Sequence, residues 1–74
     1  MRPYQNLSGN SGVVEYDEGP DSISVRFRSG DVYVYNYESV GRSHVEAMKR
    51  LARLGRGLSA YISQHLGVKQ GYVR

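Results

Sequence analysis

The residues best suited to chemistry in this sequence are basic side chains gathered over fifteen positions of its C-terminal half. The members of this basic face are Arg42, Lys49, Arg50, Arg53 and Arg56. At about 100° per residue most of them share one side of a helix, and the only acid among them is Glu46. Cations on one side of a helix can follow a phosphate backbone. Each contact with a phosphate releases counterions, which favours binding and makes the affinity depend on salt. We therefore predict nucleic-acid binding, with Arg26 and Arg28 extending the face and Tyr61 and Tyr72 stacking on unpaired bases.

The distribution of charge along the chain supports the same prediction. The net charge is +3, but residues 1–38 carry six acids and three bases, whereas residues 39–74 carry seven bases and one acid. Such a division is typical of one basic surface that meets an anionic partner, either nucleic acid or an acidic patch of a protein. A helix face that is merely solvated is the competing interpretation, since Lys and Arg stems also cover apolar surface.

Residues suited to catalysis or metal binding are sparse. The sequence has no cysteine, which excludes disulfides and thiolate chemistry. His44 and His65 fall on different predicted helices, and we expect both to be surface residues rather than metal ligands. The Gly55-Arg56-Gly57 segment lacks the lysine and the preceding strand of a phosphate-binding loop. We predict a protein that is not an enzyme and that takes no cofactor, metal or small-molecule substrate.

Length and hydropathy define the domain and its compartment. A chain of 74 residues makes one domain, and we predict a flexible or irregular N-terminal arm over 1–12 followed by a single domain over 13–74. The first twelve residues contain no apolar run, and no segment reaches the length that spans a bilayer. We therefore expect a soluble, cytoplasmic protein that makes no membrane contact.

Three segments before residue 38 have the pattern of β-strands. They are 13–16, the strictly alternating 22–28, and 31–37. The loop between the last two decides which face carries the tyrosines. A three-residue loop over 28–30 places Val25 opposite Tyr33, so Tyr33 and Tyr35 join the core; a two-residue loop would expose them beside the strand arginines as a stacking platform. We favour the three-residue loop, because it needs positive φ only at glycine.

The following segment has the periodicity of an amphipathic helix. Its predicted N-terminus is a capping box formed by Ser43 and Glu46, and Gly55 is its predicted stop. Its apolar arc comprises Val45, Ala47, Met48, Leu51, Ala52 and Leu54. A second short helix follows over 58–66. The predicted fold is α+β: a three-stranded antiparallel β-meander packed against one amphipathic helix, followed by a second short helix.

From Ser11 to about Tyr72 the sequence resembles the KTSC domain family. The resemblance lies in the run SISVRFRSG over 22–30, the tyrosine pair Tyr33 and Tyr35, and the Gly-Arg-Gly-Leu turn over 55–58. Many relatives carry a proline soon after the tyrosine pair, where this chain has 38–41 (ESVG), so the approach to the first helix differs.

The KTSC resemblance implies a particular class of function. These domains are found at the C-terminus of some lysyl-tRNA synthetases and as stand-alone bacterial or phage proteins. The fusion to a tRNA enzyme implies RNA binding, in agreement with the basic face. The alternative is a phage-type regulator that docks on a protein, for example a host machine such as RNA polymerase, through its N-terminal arm or a sheet edge.

Overall fold

The computed structural model describes residues 1–7, 9 and 12–65, which form an α+β fold. In this part of the chain an antiparallel sheet has the order β1-β2-β3-β4 and is accompanied by helices α1, α2 and α3. The strands are β1 Arg2–Pro3, β2 Val13–Glu18, β3 Ser22–Phe27 and β4 Val32–Asn36. The helices are α1 Tyr37–Val40, α2 Arg42–Leu54 and α3 Leu58–Gln64. None of the helices within the described ranges has the length and hydropathy needed to cross a membrane.

The predicted register of the β3–β4 hairpin is confirmed. Val25 pairs with Tyr33 and Ile23 with Tyr35, and the loop is closed by the Gly30 N–H donating to the Phe27 carbonyl at 2.8 Å. Gly30 has φ +97°, a conformation that costs glycine little and other residues more. Tyr35 is consequently buried on the face of Ile23 and Val25, and Tyr33 is half-buried beside it.

The N-terminal segment contributes a strand that the sequence pattern did not predict. Arg2 pairs with Tyr16 on the outer side of β2, and Pro3 is tolerated there because an edge strand need not donate on both sides. Tyr4 then enters the core, where its hydroxyl accepts a hydrogen bond from the Leu58 N–H at 3.3 Å. The Leu7 N–H donates to the Gly55 carbonyl at 2.6 Å, so 1–7 is tied to both the sheet and the end of α2.

The predicted capping box at Ser43 and Glu46 is wrong. Helix α2 begins at Arg42 and is preceded by Gly41, which has no side chain to cap it. The capping box instead belongs to α1. There the Asn36 side chain accepts a hydrogen bond from the Ser39 N–H at 2.7 Å, and the Ser39 hydroxyl accepts one from the Asn36 N–H at 3.0 Å. The short α1 occupies the segment before α2. Because the Glu46 carboxylate does not cap α2, it can accept a hydrogen bond from Tyr37 of α1.

The predicted C-terminal stop of α2 is confirmed, and a short helix follows it as predicted, although the additional helix α1 was not predicted. Gly55 adopts the left-handed conformation with φ +81°, and its N–H donates to carbonyls of the last turn. Helix α3 then starts at Leu58 as predicted and ends at Gln64. Its predicted last residue, Leu66, and the segment to residue 74 lie outside the described residues.

The core lies between the inner face of the sheet and the two longer helices. Its buried apolar members are Tyr4, Val13, Tyr16, Ile23, Val25, Tyr35, Val45, Met48, Ala52, Leu58 and Ile62. The predicted arc of α2 is correct for Val45, Met48 and Ala52. It is wrong for Leu54, which is 52% exposed. Lys49 and Arg53 on the same helix instead contact Gly19 and Glu18 at the β2–β3 turn.

Candidate nucleic-acid interface

Lys49 lies inside the domain rather than on its surface, so its predicted position on the solvated arc is wrong. Lys49 is among the buried residues at 6% exposure. Its Nζ donates to the Gly19 carbonyl at 2.7 Å and to the Pro20 carbonyl at 3.4 Å, and lies 3.3 Å from Glu46 Oε2. Gly19 is half-buried and Pro20 is exposed, so the buried group in this contact is the Lys49 ammonium, and the two carbonyls compensate for its loss of water.

Arg53 and Arg26 are exposed, but each is paired with a carboxylate. Arg53 donates through Nε at 3.1 Å and through Nη2 at 3.0 Å to the carboxylate of Glu18. Arg26 Nη1 donates to Glu15 at 2.9 Å. The guanidinium of Arg53 lowers the pKa of Glu18 because it donates to the charged form. These two cations therefore offer less charge to an outside partner than the sequence pattern predicts.

A second acid-centred contact holds α1 against α2. The Tyr37 hydroxyl donates to Glu46 Oε2 at 2.8 Å, which lowers the pKa of Glu46 and raises the pKa of Tyr37. The Arg42 guanidinium lies 5.9 Å from the centroid of the Tyr37 ring, within the range of a cation–π contact. Arg42 is thus exposed but held in place at the start of α2.

The remaining members of the basic face are turned toward solvent. Arg50 and Arg56 are exposed, and neither forms an ion pair with any residue that the structure describes. Arg42 precedes Arg50 by eight residues, which corresponds to about 12 Å along the helix axis. Arg56 follows the glycine that ends the helix. Arg28 is exposed in the β3–β4 loop. We call Arg42, Arg50 and Arg56 the arginine row.

Tyr61, predicted to stack on bases, has ring partners inside the domain. Its hydroxyl lies 2.6 Å from His44 Nδ1, and its ring lies 4.3 Å from the His65 ring at a tilt of 31°. The two histidine rings are 5.5 Å apart, a proximity that their separation in sequence concealed. Burial raises the pKa of Tyr61. Tyr72, the other predicted stacking residue, lies outside the described residues.

The His44–Tyr61–His65 cluster has no third histidine or carboxylate to complete a metal site. Groups of three or more His, Cys, Asp or Glu side chains able to hold a metal ion are not found among the described residues. The cluster instead joins the first turn of α2 to the last turn of α3, because the two helices run back along each other. Its aromatic and hydrogen-bonding contacts are those of a packing interface.

An aromatic groove, which the sequence pattern did not reveal, opens between the β3–β4 hairpin and α3. Its volume is about 270 Å³, and it is lined by Phe27, Ser29, Tyr33, Tyr35, Ser59, Ile62 and Ser63. The rings of Phe27 and Tyr33 lie 5.3 Å apart at an angle of 53°. Ser59 and Ser63 are four residues apart on α3, so two small side chains share one side of the helix and leave the space open.

The chain matches no protein-family model, and no significantly similar protein was found among the curated proteins or the solved structures. The resemblance to the KTSC family therefore stays a prediction.

Proposed function

We propose that this protein is a non-enzymatic module that binds single-stranded nucleic acid, RNA in the first place. The observation that carries the proposal is the exposed arginine row of Arg42, Arg50 and Arg56, two members of which form no ion pair within the described part of the chain. Guanidinium groups suit phosphate because they can donate two parallel hydrogen bonds. The predicted cytoplasmic location and the predicted resemblance to KTSC domains agree with this proposal.

The number of available cations sets the expected salt dependence. Each phosphate contact to a single strand contributes about −0.7 to the slope of log affinity against log salt. The five-membered basic face would give a slope of about −3.5, whereas three arginines give about −2. On that basis we expect affinity to fall about 20-fold between 50 and 200 mM salt.

The proposal is tested by measuring the affinity of an unstructured 12-nucleotide RNA at several salt concentrations. Replacing Arg50 with glutamine should weaken binding and make the slope shallower by about 0.7. The matched control is Arg53→Gln on the same helix, which should weaken binding less because Glu18 already balances the Arg53 charge. Absence of binding at 50 mM salt, or equal losses in both variants, would contradict the proposed interface.

Docking on an acidic protein surface is the second candidate function. It is favoured by two exposed apolar side chains near the arginine row: Leu54, which is 52% exposed, and Leu7, which is 62% exposed and whose N–H donates to the neighbouring Gly55. Apolar side chains beside cations are typical of protein–protein interfaces rather than of surfaces that bind a phosphate backbone. A protein partner retained after nuclease treatment and lost on Leu54→Gln, with no RNA affinity at low salt, would favour this candidate.

A further inference from the structure

We propose that the aromatic groove between the β3–β4 hairpin and α3 receives one unpaired base of the bound strand. This inference rests on the proposed function and adds a base-binding subsite to the arginine row. It assigns Phe27 and Tyr33 as the stacking residues, in place of the predicted Tyr61 and Tyr72. The serines lining the groove would face the edge of the base.

The size and shape of the groove fit a single planar ring system. Its volume of about 270 Å³ lies just below the roughly 300–1,000 Å³ of pockets that take drug-sized ligands. Phe27 and Tyr33 stand at 53° to each other, so a planar group can stack on one ring and meet the edge of the other. Both residues are half-buried, so part of each side chain remains exposed beside the groove.

The polar lining favours a base over an aliphatic or aromatic side chain of a peptide. Ser59 and Ser63 bring hydroxyls that can donate and accept a hydrogen bond, and Ser29 brings one that already donates to Asp31 and can still accept. Every base carries donors or acceptors on its edge, whereas a phenyl or isobutyl group would leave these hydroxyls unused. Because a hydroxyl can match either kind of edge, we expect little discrimination among bases.

Charges of both signs lie beside the groove. Arg28, which is exposed, lies in the loop between Phe27 and Ser29, both of which line the groove. A phosphate adjoining the inserted base would therefore meet a cation. Asp31 is the nearest acid along the chain; its carboxylate accepts a hydrogen bond from the Ser29 hydroxyl at 3.0 Å and keeps its negative charge, which opposes part of this attraction.

The inference is tested with the full chain and two oligonucleotides of equal charge, a 12-nucleotide uridine strand and the same backbone without bases. One stacked base should make the uridine strand bind about 5- to 150-fold more tightly. Ser63→Leu should remove this difference, because an exposed position on α3 then fills the groove without altering the core. The matched control is Gln64→Leu, on the same helix but outside the groove lining, which should keep the difference.

The outcomes separate this inference from the proposed function. Equal, salt-dependent binding of both strands would overturn the base subsite and leave the arginine row standing. If neither strand binds, the proposed function fails, and the groove is tested alone with uridine monophosphate by following the NMR signals of Ile62 and Ser59. Shifts of these signals that disappear in Ser63→Leu would support the subsite. No shift, or shifts caused only by a tyrosine-containing peptide, would overturn it.

Discussion

Replacing Lys49 with methionine distinguishes a structural lysine from a phosphate-binding one. Methionine keeps a long unbranched side chain of similar reach, so the change removes the ammonium group without opening a large cavity. The Gly19 carbonyl, which receives the 2.7 Å hydrogen bond, and the Glu46 carboxylate at 3.3 Å both lose their cation. We therefore expect Lys49→Met to destabilise the fold and to leave nucleic-acid affinity unchanged.

The size of the destabilisation follows from the burial of Lys49. Hydrogen bonds to charged groups are worth about 1.5–3 kcal/mol, and this range applies because Lys49 is only 6% exposed. A domain of this length has a total stability of about 4–11 kcal/mol. A loss of 1 kcal/mol lowers the melting temperature of such a domain by about 4–8 °C, so we expect a decrease of about 6–24 °C.

The assay is thermal unfolding by circular dichroism, paired with RNA affinity measured well below the transition. The matched control is Arg50→Met, which removes an exposed cation of the same helix and should change affinity but hardly change the melting temperature. If Lys49→Met melts like the control and loses affinity instead, Lys49 points to solvent. The orientation of α2 and the assignment of the arginine row would then both be refuted.

Three further predictions concern the contacts that hold the fold together. Gly55→Ala should lower the melting temperature more than Gly30→Ala: both have positive φ, but only at position 55 would the new Cβ approach a side chain of the N-terminal segment, at 2.7 Å, and equal effects would contradict that packing. The pKa of Glu18 is lowered, so its ion pair stabilises the fold above about pH 4.3 and is lost as pH falls further. Glu18→Gln should therefore flatten the pH dependence of stability in acid unfolding, and an unchanged profile would contradict the pair. Tyr37→Phe should raise the pKa of Glu46 toward its ordinary value, as followed by carboxyl ¹³C NMR, because the hydrogen bond that lowers it is removed.

Local sequence patterns were sufficient to predict the β-meander and its register. Alternation over 22–28 and a glycine able to adopt φ +97° were enough to place Tyr35 in the core. The same holds for the end of α2, where Gly55 takes the left-handed conformation. Each of these features depends on residues a few positions apart, so the residues that favour one conformation over another can be recognised in the sequence itself.

The fourth strand and the cap of α1 were not predictable in this way. Arg2 and Pro3 have no strand periodicity, and they pair only because β2 offers a free edge and Tyr4 finds space in the core. Asn36 and Ser39 make a capping box for a helix of four residues, too short to show a hydrophobic period. Stability in both places comes from packing onto elements that are distant in the sequence.

The sequence by itself determined the α+β class, the hairpin register and the presence of a basic amphipathic helix. Tertiary structure alone decided which cations remain available. Glu18 and Arg53 are 35 residues apart, and Lys49 meets the carbonyl of a residue 30 positions earlier, so neither partner can be read from a helical period. Charge along a chain fixes the total, but the docking of α2 on the β2–β3 turn determines which charges are neutralised within the domain and which face a partner.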